Sequence, residues 1–193
     1  MLPSYGILVL KKYVTKYVPY NEQGEFCDEL KILIGSVEIT AYVPTYINVE
    51  EGDYLTADIR LTNCWADFST VALTLSNVKK VSKGDIKSEK YVRLKVTGAL
   101  VKQANRTVKQ VGKNKKPFYS CALRFDNGRG KYCSVLLVGF NKIAEDLYSA
   151  PVDKEVCIDG QLFESLSTGG YEIRVRAVNK KIIRKELKVC LKS

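Results

Sequence analysis

The 193-residue chain contains no histidine at all. That absence excludes a Cys/His zinc site and any Ser-His or Cys-His relay. Six cysteines, at 27, 64, 121, 133, 157 and 190, form no C-x2-C pair and sit mostly inside apolar or alternating segments, so they read as structural thiols and not as a metal site or a disulfide framework. No apolar run approaches the roughly 18 residues that span a bilayer. The start, MLPSYGILVLKKYV, places its charges after a short apolar stretch, the reverse of a secretory signal. The expectation is a soluble, cytoplasmic protein with no membrane association. Prolines number only five, against 46% hydrophobic residues and twelve tyrosines, a composition that folds.

Acidic residues are scarce in one half only. Residues 1–78 carry five Lys/Arg and ten Asp/Glu, a net −5, whereas residues 79–193 carry twenty-six Lys/Arg and eleven Asp/Glu, a net +15. A field of the second kind draws polyanions, nucleic acid first. The sign changes inside Lys79–Lys90, a polar, glycine-containing stretch. A domain boundary near residue 84, dividing the chain into 1–84 and 85–193, is the first reading of this stretch, and a long surface loop within one domain is the other.

Short alternating runs recur every 10 to 15 residues, bounded by Gly, Asn, Asp and Pro, which is the pattern of an all-β chain. In the first half the strands are expected over Tyr5–Val18, Leu30–Val43, Tyr54–Leu61 and Phe68–Val81, forming a β-rich association domain with a divergent barrel as one form of it. In the second half, Tyr91–Val101 sets Val92, Leu94 and Val96 on one face and Tyr91, Arg93 and Lys95 on the other, where they meet solvent or ligand. The loop 103–117 has five basic residues and no acidic one. Strands over Phe118–Phe125 and Tyr132–Val138 form a hairpin around residues 126–130. Asn141–Tyr148 then shifts to helical period with Asn141 as N-cap, and Glu155–Leu162 and Tyr171–Val178 are the fourth and fifth strands. Five strands with one helix between the third and fourth is the order of an OB-fold barrel. Ile182–Leu191 reads as an added strand or C-terminal extension.

Residues 90 to 180 resemble the bacterial-type single-stranded DNA-binding protein family. Four stretches carry the resemblance: Val96-Thr97-Gly98-Ala99-Leu100-Val101, Tyr119-Ser120-Cys121-Ala122, the run from Val135 through Gly139-Phe140-Asn141 to Glu145, and Val156-Cys157-Ile158-Asp159-Gly160-Gln161-Leu162. The resemblance implies an open barrel face that binds unpaired DNA through aromatic and basic side chains, usually in an oligomer. Departures are Asp153-Lys154-Glu155 where the family has Lys-Gly, Tyr132 in place of a tryptophan, Leu166 near where another ring is expected, and no acidic tail tip.

A generic binder of single strands needs a positive groove lined with flat rings. Candidate cations are Arg106, Lys109, Lys113, Lys115, Lys116, Arg124, Arg129 and Lys131, with Arg174 and Arg176 as a further stripe on the fifth strand. Candidate rings are Tyr119, Tyr132, Phe163 and Tyr171. Tyr119 and Phe118 alternate, so one of the two belongs to the core. No complete phosphate loop or carboxylate motif is present, and neither enzymatic activity nor a cofactor is expected. The sequence reads as a protein that binds and protects single-stranded DNA in replication, recombination or DNA transfer, with a homo-oligomer or a replication protein as partner. Two other readings are an RNA-binding or primosome-like accessory protein, and a structural or protein-interaction module.

Overall fold

The computed structural model describes residues 5–13, 26–64, 70–86, 91–103, 106–126, 132–152, 154–165 and 169–179. In the first half, β1 (Tyr5–Tyr13), β2 (Cys27–Ile34), β3 (Val37–Pro44), β4 (Tyr54–Asn63) and β5 (Val71–Val81) close into a barrel of order β1-β2-β3-β5-β4. Alternation drives the closure. Ile7 and Val9, Leu30 and Ile32, and Leu55, Ala57 and Ile59 point inward from their strands and are buried, while their neighbours stay partly or fully wet. The segment expected as one strand over Leu30–Val43 is two: Ile34 pairs with Val37 across Gly35-Ser36. Gly35 turns there at φ +60, a conformation glycine adopts without a Cβ clash, so the chain folds back as a tight hairpin.

The second half adds β6 (Val92–Val101), β7 (Lys109–Val111), β8 (Lys116–Asp126), β9 (Tyr132–Phe140), α1 (Lys142–Ser149), β10 (Glu155–Glu164) and β11 (Tyr171–Asn179). The sheet runs β6-β10-β11-β9-β8-β7, and pairing of β6 with β8 closes it. With β7 set aside, both barrels have the same connectivity: the third and fifth strands are parallel neighbours in each, β3 with β5 and β9 with β11. The molecule is therefore two closed five-stranded OB-like barrels and not one such barrel behind a less defined β domain. Only the second has a helix after its third strand. Asn141 holds the cap position at φ 53 with no side-chain cap bond; its N–H donates to the Pro117 carbonyl instead at 2.8 Å.

Closure of the second barrel depends on Gly98. A Cβ there would lie 2.3 Å from the Arg124 carbonyl oxygen and 3.1 Å from the Phe125 Cβ. Past that crossing β6 leaves β8, and on that side the Arg93 backbone is taken by the other barrel: the Tyr5 hydroxyl donates to the Arg93 carbonyl at 2.7 Å and accepts from its N–H at 3.1 Å. A second set of bonds joins the barrels elsewhere. Tyr171 donates its hydroxyl to the Glu38 carbonyl at 2.6 Å, and the Glu38 N–H donates to Glu164 Oε1 at 3.2 Å. Between the barrels, residues 83–85 form one 3-10 turn and Ile86 packs on the bare backbone of Gly6. Buried apolar side chains of both halves make one contacting cluster, from Tyr5 and Ile7 through to Ile173 and Val175. Cys27, Cys121 and Cys133 are buried, and burial pushes the Cys121 thiol up to about 11.

Gly98→Ala should destabilise the protein by about 1–3 kcal/mol, because backbone on the facing strand cannot yield as a flexible side chain would; urea unfolding measures it. Burial, then the charges of Glu164, Cys64 and Glu38, pushes the Tyr171 phenol up to about 12. Folding thus favours its neutral form, a contribution intact below the unfolded value of about 10 and lost as pH rises towards the folded one. The stability advantage of the unaltered protein over Tyr171→Phe should shrink by up to about 3 kcal/mol between about pH 10 and 12, and unfolding curves across that range check it.

Candidate nucleic-acid interface

Strands β8 and β9 form the outward face that OB-type barrels offer to ligands. On β8, Tyr119, Cys121, Leu123 and Phe125 point into the core, leaving Phe118, Ser120, Ala122, Arg124 and Asp126 outside. On β9, Cys133, Val135 and Leu137 point in, and Tyr132, Ser134, Leu136, Val138 and Phe140 line the other side. The register sets these side chains in rows, from Asp126 opposite Tyr132, through Arg124 opposite Ser134 and Ala122 opposite Leu136, to Phe118 opposite Phe140. From Tyr132 to Phe140 the face runs about 26 Å at the usual rise per strand residue.

Of the four expected rings only Tyr132 stands on this face, and Phe118 and Phe140 take its other end. Tyr132 is 73% exposed, and the Arg124 guanidinium lies 5.4 Å from its ring centroid, within cation–π range. Tyr119 is not a surface ring. It is 2% exposed and packs edge-on against Tyr148 of α1 at 5.4 Å, and burial pushes its phenol up. The pleat that sends Tyr119 inward sends Phe118 outward, against Phe140 at 5.4 Å, and Phe140 is 41% exposed. The signal for Phe118 was the alternation itself; only its phase was undetermined, because both neighbours are aromatic.

Cations gather around this face. The loop 103–117 contains a short hairpin in which β7 pairs with the start of β8, Lys109 opposite Phe118 and Val111 opposite Lys116. Its turn takes positive φ at Gly112 and Lys115. Lys109, Lys113, Lys115 and Lys116 are all exposed, and among the described residues none forms an ion pair. Arg106 donates to Ser120 Oγ at 2.5 Å, which fixes it over β8 at the edge of a 340 Å³ recess shared with Phe118, Leu136, Phe140 and Arg174. Arg174 pairs with Glu172 at 3.0 Å and lies over the Phe163 ring at 4.0 Å, with Tyr91 on that ring at 5.5 Å. One face of Phe163 is thus already occupied. Arg176 is exposed on β11. Tyr171 works at the barrel junction, since its hydroxyl is committed to Glu38. Arg129 and Lys131 of the expected set, Leu166, and the extension 182–191 lie outside the described residues.

A cleft of about 690 Å³ opens between the barrels beside Tyr132 and Arg124, with Arg60 of β4 on one wall and Arg93 and Lys95 of β6 on the other. Arg93 is held in a bidentate pair with the buried Asp159, at 2.8 and 2.5 Å, and this hydrogen bonding keeps the Asp159 carboxyl below its ordinary value. Arg93 and Lys95 were legible as the wet face of β6, though not as part of a site. Arg60 was hidden by the acidic balance of its half.

The equivalent face of the first barrel, on β2 and β3, is covered at its Cys27–Pro44 end and presents no open ring. Its register pairs Cys27 with Pro44, Glu29 with Tyr42, Lys31 with Thr40 and Leu33 with Glu38. The ring of this face, Tyr42, is fully buried, packed with Cys27 and Ala72 in a small cluster separate from the main core. Among the described residues of the whole chain, no group of three or more cysteine and carboxylate side chains is placed to hold a metal ion, and no helix is long and apolar enough to cross a membrane.

No protein-family model and no curated protein matches this sequence. Solved structures do. The wild-type single-stranded DNA-binding protein from Thermus aquaticus superposes with a TM-score of 0.61 at 10% identity, covering 95% of each chain. A deletion variant of the same protein gives a TM-score of 0.58 at 10% identity, covering 97% of this chain and all of the other. Coverage of that extent runs through both barrels, so the likeness noticed over residues 90 to 180 extends to the first half as well. At this identity the likeness is one of fold, and it is that of paired OB-like barrels arranged as in the Thermus aquaticus single-stranded DNA-binding protein.

Proposed function

We propose that this protein binds and shields single-stranded DNA, largely without regard to base sequence, and that it acts without catalysis. The observation that carries this reading is the outward face of β8 and β9, where the exposed Tyr132 with Arg124 at its ring stands at one end and Phe118 and Phe140 at the other. An unpaired strand offers every base as a flat ring and every linkage as a charge. Stacking on such rings contributes about 1–3 kcal/mol per base whatever the base, and the lysines of the β7–β8 hairpin and Arg106 supply counter-charge for the phosphates. Weak base preference and steep salt dependence follow from those two contacts.

In this reading the first barrel, with its negative balance and a β2–β3 face that has no open ring, serves self-association or contact with another protein. The cytoplasmic setting and the processes of replication, recombination or DNA transfer belong to the same proposal. The charge pattern and the fold support the DNA binding on which these expectations rest.

Fluorescence anisotropy against dT, U and duplex oligonucleotides over a range of salt tests the reading. Tightest binding is expected for dT, falling with a log–log slope of about −0.7 per phosphate contact. Replacing Lys113, Lys115 and Lys116 together by alanine should flatten that slope by up to about 2. Tyr132→Ala should weaken binding roughly 5- to 150-fold, the equivalent of one lost stacking contact. Preference for U would favour an RNA ligand, and no binding at low salt would favour a protein-interaction module.

A further inference from the structure

The acidic half contains one arginine, Arg60. It does not sit among the carboxylates of that half. It lines the cleft at the barrel junction, facing the basic half. Its side chain is exposed, and no described residue forms an ion pair with it. Of the three other basic residues described in the first 78, Lys12 is paired with Asp28 at 2.8 Å, Lys11 lies over the Tyr13 ring at 5.0 Å, and Lys31 is on β2 opposite Thr40, outside the lining of this cleft.

Across the cleft stand Lys95 and Arg124, both exposed and both outside any ion pair among the described residues, with the open ring of Tyr132 beside them. Arg93 is neutralised by Asp159. Two carboxylates, Asp126 and Glu155, share the wall. Three cations against two carboxylates leave the lining of this space of about 690 Å³ with a positive excess, in which the cations repel one another. An anion between them relieves that repulsion, and a flat ring at the same spot adds a stacking surface for whatever carries the anion. The walls are held in register by the hydroxyl of Tyr5, which bonds both backbone groups of Arg93, so the space is built into the packed pair of barrels.

From this arrangement we infer that the cleft is a nucleotide subsite shared by both barrels. A phosphate of the bound strand lies between Arg60, Lys95 and Arg124, and its base rests on Tyr132. The strand therefore leaves the β8–β9 face at its Tyr132 end and crosses onto the first barrel at Arg60. This deepens the reading given under Proposed function and rests on it. It also assigns the acidic barrel a direct contact with the ligand.

Salt-dependent anisotropy with dT oligonucleotides of graded length, using the full chain, decides the matter. Arg60→Ala should weaken binding about fivefold at 0.1 M salt, flatten the log–log slope by about 0.7 and shorten the length of dT that saturates the affinity. Arg60→Lys should keep the slope. Glu155→Gln, which removes a negative charge from the same wall, should tighten binding. Arg60 is exposed, so thermal melting of Arg60→Ala should match the unaltered protein. If Arg60→Ala and Glu155→Gln both bind like the unaltered protein while the Lys113, Lys115 and Lys116 replacement weakens binding, the shared subsite is refuted and the β8–β9 face stands. If the unaltered protein binds no dT at low salt, both are refuted.

Discussion

A five-stranded sheet has two edges, and this chain contains two such sheets, each of which becomes stable by closing on itself. Everything else in the architecture depends on how the second closure is made. At Gly98 the backbones of β6 and β8 approach too closely for any side chain; beyond it they diverge. The backbone groups thereby left over at Arg93 are met by a tyrosine of the other barrel. An unmet buried N–H or carbonyl costs about 1–3 kcal/mol, so that tyrosine both completes the barrel and fixes its neighbour against it. The Arg93 side chain turns the other way, into the pair with Asp159, and the junction cleft takes its shape from these bonds.

Two barrels of one topology have been given opposite surfaces. On β8 and β9 the aromatic rings and unpaired cations face outward; on β2 and β3 the ring of Tyr42 is buried in a cluster of its own and Glu29 and Glu38 flank one lysine, Lys31. Charge and covering act in the same direction. A polyanion is drawn to one face and meets on the other no open ring and a single lysine, Lys31, between Glu29 and Glu38. The duplication thus reads as a division of labour within one chain, set by side-chain choice on a shared backbone plan.

Much of this was legible beforehand, for physical reasons that also explain the failures. Period-two alternation marked β6, β8, β9, β10 and β11, and the change to helical period marked α1. The two-residue hairpin at Gly35 was missed because apolar alternation continues through it on both sides and only a glycine–serine pair signals the reversal. Tyr119 was weighed as a surface ring because alternation specifies which residues share a face and leaves open which face is wet; with aromatics at both 118 and 119, hydrophobicity could not choose. Tyr171 was placed in the groove for its ring, whereas its hydroxyl bonds a backbone carbonyl 133 residues away in sequence, a contact that no local pattern encodes. Arg60 was overlooked for the opposite reason, since a net charge averages over a surface and a subsite is made by a few groups at one place.

The central claim is that an unpaired strand lies along the outward side of β8 and β9 while the matching side of the first barrel stays closed to it. Amide hydrogen exchange with and without saturating dT oligonucleotide tests this most directly. The account predicts added protection within 106–126 and 132–140 and no change within 27–44. Protection of 27–44 with none in the second barrel would contradict it.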